Sequence, residues 1–136
     1  MNNPDVFVRL LGSVREHLAA FPDGPAIASV RIGSDSISGE HAVVQLHALE
    51  LPALAAGLLE WADSIIGVSA EVWRPATGTS VHLTVTGRLP DSTLVEIYGG
   101  VPYSVDVFSA DLQPDGRQSL GLSVLRSWAS GAAVAA

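Results

Sequence analysis

The 136-residue chain contains no cysteine and no lysine. Without cysteine there is no disulfide framework, no thiolate metal ligand and no thiol nucleophile. Without lysine, its basic charge rests on arginines 9, 15, 31, 74, 88, 117 and 126, which are scattered and form no basic stripe. Against 14 acids they leave a net charge of −7 and a pI near 4.8. Counterion release on a phosphate backbone needs clustered cations, so no nucleic-acid partner is expected. An anionic membrane surface is disfavoured for the same reason. No apolar run approaches the roughly 18 residues of a membrane span, and Met-Asn-Asn-Pro-Asp offers neither the basic leader nor the apolar stretch of a signal peptide. The expectation is a cytoplasmic protein with no membrane partner. Serine-nucleophile elbows of the Gly-x-Ser-x-Gly type are missing, and Gly99-Gly100 is followed by no phosphate-loop lysine. No cofactor is implied, and the balance leans away from an enzyme.

What the chain has is apolar residues, 48% of the total against 15% charged, enough to fill the core of one ordinary domain. A single α+β domain over 1–130 is expected, with 131–136 as a flexible C-terminal tail. The organising stretch is Thr79 to Tyr98. Val81, Leu83 and Val85 alternate with His82, Thr84 and Thr86, and Pro90-Asp91-Ser92 supplies turn residues, so the stretch reads as a hairpin with one buried face. A lone hairpin is marginal in water, which places it inside a larger antiparallel sheet.

Before it, Pro4 opens a helix with Asn3 as its cap, and Phe7, Leu10, Leu11, Val14, Leu18 and Phe21 form one stripe at helical spacing. Ala26–Ile32 and His41–Leu49 read as paired strands, the second with Ala42, Val44, Leu46 and Ala48 facing the core. Leu51, Leu54, Leu58, Trp61 and Ile65 trace a second helix, and Val68–Arg74 a further strand. After Tyr98 the two glycines are expected to interrupt the sheet, with Tyr103–Ser109 resuming as a strand. Leu122–Ala129 fits a short helix that buries Leu125 and Trp128, although Leu120, Leu122 and Val124 also fit a strand. The predicted order is α-β-β-α-β-β-β-β-α: a mostly antiparallel sheet of five to six strands with two or three helices on one face.

The opposite face then collects the candidate site residues His47, Glu71, Trp73, His82, Thr84, Arg88, Glu96 and Tyr98, with His41, Gln45 and Val43 beside them. Thr, Glu and Arg are ordinary on a solvated β face. Trp73, Tyr98 and Val43 are less so, and suit a partner surface or a shallow pocket. A metal is not expected: His41 and His47 are separated by roughly 20 Å along an extended strand, so they cannot both reach one ion without a bend, which leaves one of them with His82 and Glu71 as the alternative. Glu71, Glu96, Asp106 and His82 are the candidates for acid–base work, and no spacing selects among them. The terminal Ala-Ala-Val-Ala-Ala resembles the small apolar ending of bacterial degradation tags, which would bear on lifetime and not on activity. Two functions from different classes fit. The first is a non-enzymatic interaction or assembly module, homodimeric or bound to another protein through the polar-aromatic face, as an accessory protein of a phage or mobile element would be. The second is a small cofactor-independent enzyme or small-molecule-binding protein with a pocket on that face. A flat face suits the first, a concave one with converging polar groups the second.

Overall fold

A computed structural model describes residues 4–35, 39–47 and 50–131 of the chain. The elements in order are α1 (Pro4–Ala20), β1 (Ile27–Asp35), β2 (Gly39–Leu46), α2 (Leu51–Ser64), β3 (Ile66–Trp73), β4 (Ser80–Arg88), β5 (Leu94–Pro102), α3 (Val105–Phe108), β6 (Arg117–Leu120) and α4 (Leu122–Ser130). The six strands lie in the order β1-β2-β5-β4-β3-β6. Every pairing is antiparallel except β2 with β5. The parallel pair follows from topology: α2 carries the chain past two strand positions, and the β3-β4-β5 meander then returns β5 to the side of β2. The α+β class and the mostly antiparallel six-stranded sheet agree with the expectation from sequence.

Strict alternation gives β4 and β5 one dry face. Val81, Leu83 and Val85 join Val95, Ile97 and Val101 against Leu54, Ala55 and Leu58 of α2, all at most 4% exposed. Leu125 of α4 and Phe108 of α3 complete this core. The hairpin turn uses Pro90, Asp91 and Ser92, as the sequence indicates. Ser92 N–H donates to Leu89 O at 2.8 Å, and Ser92 takes a left-handed φ of 76° that lets the strands re-pair at Leu89 and Thr93.

Two expectations fail after Tyr98. Gly99 and Gly100 do not interrupt the sheet: β5 pairs with β4 in unbroken register from Arg88↔Leu94 to Ser80↔Pro102. Tyr103–Ser109 is not a strand. Ser104 O accepts from the N–H groups of Val107 and Phe108, forming a single helical turn. That turn points Phe108 into the core, 5.4 Å from the Trp128 ring, and leaves Val105 54% exposed. An alternation over Val105, Asp106, Val107 and Phe108 is too short to separate strand from turn by itself; burial of Phe108 and Leu112 decides it. The sixth strand is Arg117–Leu120 instead, paired with β3. Arg74 anchors the intervening segment through Leu112 O at 2.7 Å and by stacking 3.6 Å above the Tyr103 ring. The open choice at 122–130 resolves as helix, with Leu125 buried and Trp128 half-buried. Asn3, Ala48, Leu49 and residues 132–136, including the Ala-rich ending, lie outside the described residues.

Helix α1 meets the sheet more loosely than its stripe implies. Leu10 and Val14 are buried, but Leu11 and Phe21 are about half exposed, at 51% and 52%. Its polar fastening was not visible in the sequence. Ser13 donates to the Asp91 carboxylate in the β4–β5 turn, Thr93 Oγ1 reaches Ser13 at 3.3 Å, and Thr93 N–H donates to Asp91 Oδ1 at 3.0 Å. The Ser13 hydrogen bond, helped by those from Thr93, holds the Asp91 carboxyl below its ordinary value of 3.8. A depressed carboxylate adds stability that is full above the unfolded value and is lost as pH falls through the lower folded one. Asp91→Asn should therefore flatten the stability profile below about pH 4 and cost about 1 kcal/mol at neutral pH, because water reaches this bond. Urea unfolding at several pH values tests this; parallel acid profiles for wild type and variant would remove the network as the fastening.

Candidate functional site

All long helices pack on one side, so the other face of the sheet is open. Cross-strand register, not sequence proximity, assembles its centre. One row runs Gln45↔Tyr98↔Thr84↔Glu71↔Ser119, the next Arg31↔Val43↔Glu96↔Thr86, and at the far edge His82↔Trp73↔Arg117. These rows enclose a shallow concavity of about 270 Å³ lined by Arg31, Glu71, Trp73, His82, Thr84, Glu96, Tyr98 and Arg117.

The floor is aromatic. His82 meets Trp73 edge-on, with ring centres 5.2 Å apart, and lies tilted against Tyr98 at 5.5 Å. Burial between these rings pushes the His82 imidazole below its ordinary value, so it is neutral at pH 7 and offers one donor and one acceptor. One wall is already satisfied: Arg117 donates to Glu71 at 2.8 Å and lies 4.7 Å above the Trp73 ring, and Trp73 Nε1 donates to Asp115 at 3.3 Å. The opposite wall is not. The side chains of Arg31, Thr84, Glu96 and Tyr98 make no hydrogen bond or ion pair within the described residues. Two arginines and two glutamates with a neutral histidine give the concavity no net charge.

Six of the eight sequence candidates meet there: Glu71, Trp73, His82, Thr84, Glu96 and Tyr98. His47 does not; it is exposed just beyond the end of β2. Arg88 does not either; it sits at the end of β4 and donates to Ser92 O at 2.8 Å. Asp106 is exposed on α3, away from the face. Among the described residues no cluster of three His, Cys, Asp or Glu side chains is placed to hold a metal ion. The sequence missed Arg31 and Arg117. Arg31 was recoverable, since pairing β1 with β2 puts it opposite Val43; Arg117 lies on the unforeseen β6. Val43 falls on the open side by alternation yet is only 3% exposed. No family model, curated protein or solved structure matches the chain. Among the described residues no helix is long and apolar enough to cross a membrane.

Proposed function

We propose that the protein is a small-molecule-binding module whose site is the concavity on the open sheet face. The supporting observation is convergence: four polar side chains with no hydrogen-bond or ionic partner among the described residues surround one concavity with an aromatic floor. A free guanidinium at Arg31 suits a ligand carboxylate, and a free carboxylate at Glu96 suits an ammonium or hydroxyl donor. Trp73, His82 and Tyr98 give a flat group a surface to pack on. With no net charge, the site favours a zwitterion or neutral polar molecule bearing a ring, and its volume, just under the usual ~300 Å³ minimum for pockets, limits that molecule to small size. No nucleophile or metal enters this reading, which is recognition without turnover.

L-Phenylalanine is a suitable probe, carrying both charges and a ring. Its titration against the Trp73 indole N–H signal in NMR is expected to shift that signal saturably. Arg31→Ala and Glu96→Gln should each weaken binding by about 10-fold or more, the worth of one charge-assisted hydrogen bond. Absence of any saturable shift at tens of millimolar, or wild-type affinity in either variant, would count against the reading.

A second reading has one observation in its favour. Arg31 and Glu96 flank Val43 in the same row, so a two-fold axis along β2 above Val43 would set each Arg31 over the partner's Glu96. The face is thus self-complementary for a homodimer. Light scattering decides: a dimeric wild type, made monomeric by Arg31→Glu and restored by adding Glu96→Arg, would establish assembly. A monomeric wild type leaves ligand binding.

A further inference from the structure

A second cavity lies on the helical side, where the C-terminal end of α1 and the loop after it meet α2. It measures about 340 Å³, and its lining includes His17, Phe21, Asp23, Glu60, Trp61 and Ser64. Its walls are aromatic. The His17 ring stacks on Trp61 with centres 4.7 Å apart and planes 24° from parallel, and Phe21 lies tilted against it at 4.9 Å. Phe21 is nonetheless 52% exposed, a large ring half out of the core at the edge of a cavity. Pro22 and Pro25 stiffen the loop that carries it, and Gly24 N–H donates to Phe21 O at 3.1 Å.

The histidine is fixed and uncharged. Ser64 Oγ lies 2.9 Å from both Trp61 O and His17 Nε2, so the hydroxyl that reaches the carbonyl also ties the imidazole to α2. Burial lowers the His17 pKa, which keeps the ring neutral at pH 7. Two carboxylates, Asp23 and Glu60, complete the lining, and neither has an ion pair or hydrogen bond within the described residues. No arginine lines the cavity. The chemistry is one-signed: one half-exposed phenyl ring over a buried His17–Trp61 stack, and two carboxylates, with no cation of the protein's own in the lining.

We infer that this cavity is a binding site for a small organic cation, an alkylated ammonium whose methyl groups pack on the half-exposed Phe21 ring while Glu60 and Asp23 face its charge. A quaternary ammonium is weakly hydrated, so it gives up little on leaving water, and aromatic faces attract it electrostatically as well as by contact. An anion would meet two carboxylates, and an uncharged ligand would use the walls alone.

Choline and its uncharged isostere 3,3-dimethylbutan-1-ol separate these cases, because they share shape and differ in charge. The readout is the Trp61 indole N–H signal in NMR, identified by its loss in Trp61→Phe, with the Trp73 signal as the internal control. Choline should shift the Trp61 signal saturably and leave Trp73 unmoved, with the isostere at least ~10-fold weaker. Asp23→Asn combined with Glu60→Gln changes only exposed, isosteric groups; it should remove the preference for choline while leaving the circular dichroism spectrum intact. Equal affinity for the two probes, or a preference that survives the double substitution, would overturn the proposal. So would the lack of a saturable Trp61 shift with choline at tens of millimolar.

Discussion

Trp61→Ala is expected to lower the unfolding free energy by about 3–5 kcal/mol, the usual range for removing a buried large aromatic side chain. Trp61 is 4% exposed and stands at a junction. Its ring belongs to the sheet-facing core with Leu58 and Ile65, and it also supports the His17 stack that joins α1 to α2. Truncation removes the apolar contact, enlarges the neighbouring cavity, and leaves the His17 imidazole without the ring it lies on. Against a typical total of about 5–15 kcal/mol, such a loss brings the domain close to unfolding at physiological temperature. Urea denaturation is the measurement: the midpoint should fall sharply while the slope holds, since the surface exposed on unfolding is little changed. Trp61→Phe should retain much of the loss-free packing and cost clearly less. A Trp61→Ala penalty below about 1 kcal/mol would mean that the α1–α2 junction is not packed as described.

What the sequence conveys well is whatever a single element decides by its own period. The β4–β5 hairpin is legible because β-branched alternation runs for several residues on each side of a Pro-Asp-Ser turn. Helix α2 is legible because Leu54, Leu58 and Trp61 keep helical spacing and are buried; Ile65, drawn into the same stripe, is buried too but lies in extended backbone just past the helix end. In α1 the same rule succeeds in kind and misleads in detail. The helix lies at the margin of the sheet, so its buried edge is Leu10, Ser13, Val14 and His17, a set shifted toward polar residues whose partners are on distant elements. A stripe drawn from apolar residues alone includes Leu11 and Phe21 and omits the two polar ones. The errors after Tyr98 have another origin. Val105 and Val107 alternate over too few residues to distinguish strand from turn, and β6 is a four-residue strand, Arg-Gln-Ser-Leu, with no apolar period of its own. It exists because the edge of β3 was unpaired.

The open face divides along the same line. Which residues point away from the helices follows from alternation alone, so Glu71, Trp73, His82, Thr84, Glu96 and Tyr98 could be named without a structure. Which of them meet requires strand order, and the parallel β2–β5 pairing is set by the crossover through α2, a long-range event with no local signature. That pairing brings Glu96 and Tyr98 beside β2 and within reach of Arg31 on β1. It also leaves His47 and Arg88 beyond the rim, since both lie at or past strand ends. The helical cavity was further from view, because His17 and Trp61 belong to two helices whose packing angle no periodicity reports.

Gly99 and Gly100 test the assignment of faces most directly, since neighbours in one strand must point to opposite sides. A side chain at Gly99 would enter the core, where its Cβ would collide with Leu54 Cδ1 and lie 3.2 Å from Cδ2. Leu54 is fully buried, so it has nowhere to retreat. Gly99 is therefore the place where α2 sits down on β5, and the close approach explains the glycine better than an interruption of the strand does. A Cβ at Gly100 would instead point to the open face, 3.5 Å from His82 Cδ2, an ordinary contact. Gly99→Val is expected to cost about 3 kcal/mol, the upper end of the overpacking range, because valine adds two further methyl groups to a site that cannot hold one. Gly100→Val should be neutral or stabilising by a few tenths of a kcal/mol, because glycine is a poor strand residue and valine a good one. Thermal and urea unfolding of the two variants side by side measures the contrast. The reverse ranking would place β5 with its other face toward the helices, turning Glu96 and Tyr98 into the core and dissolving the site; the expected ranking fixes them on the open side with Thr84 and His82.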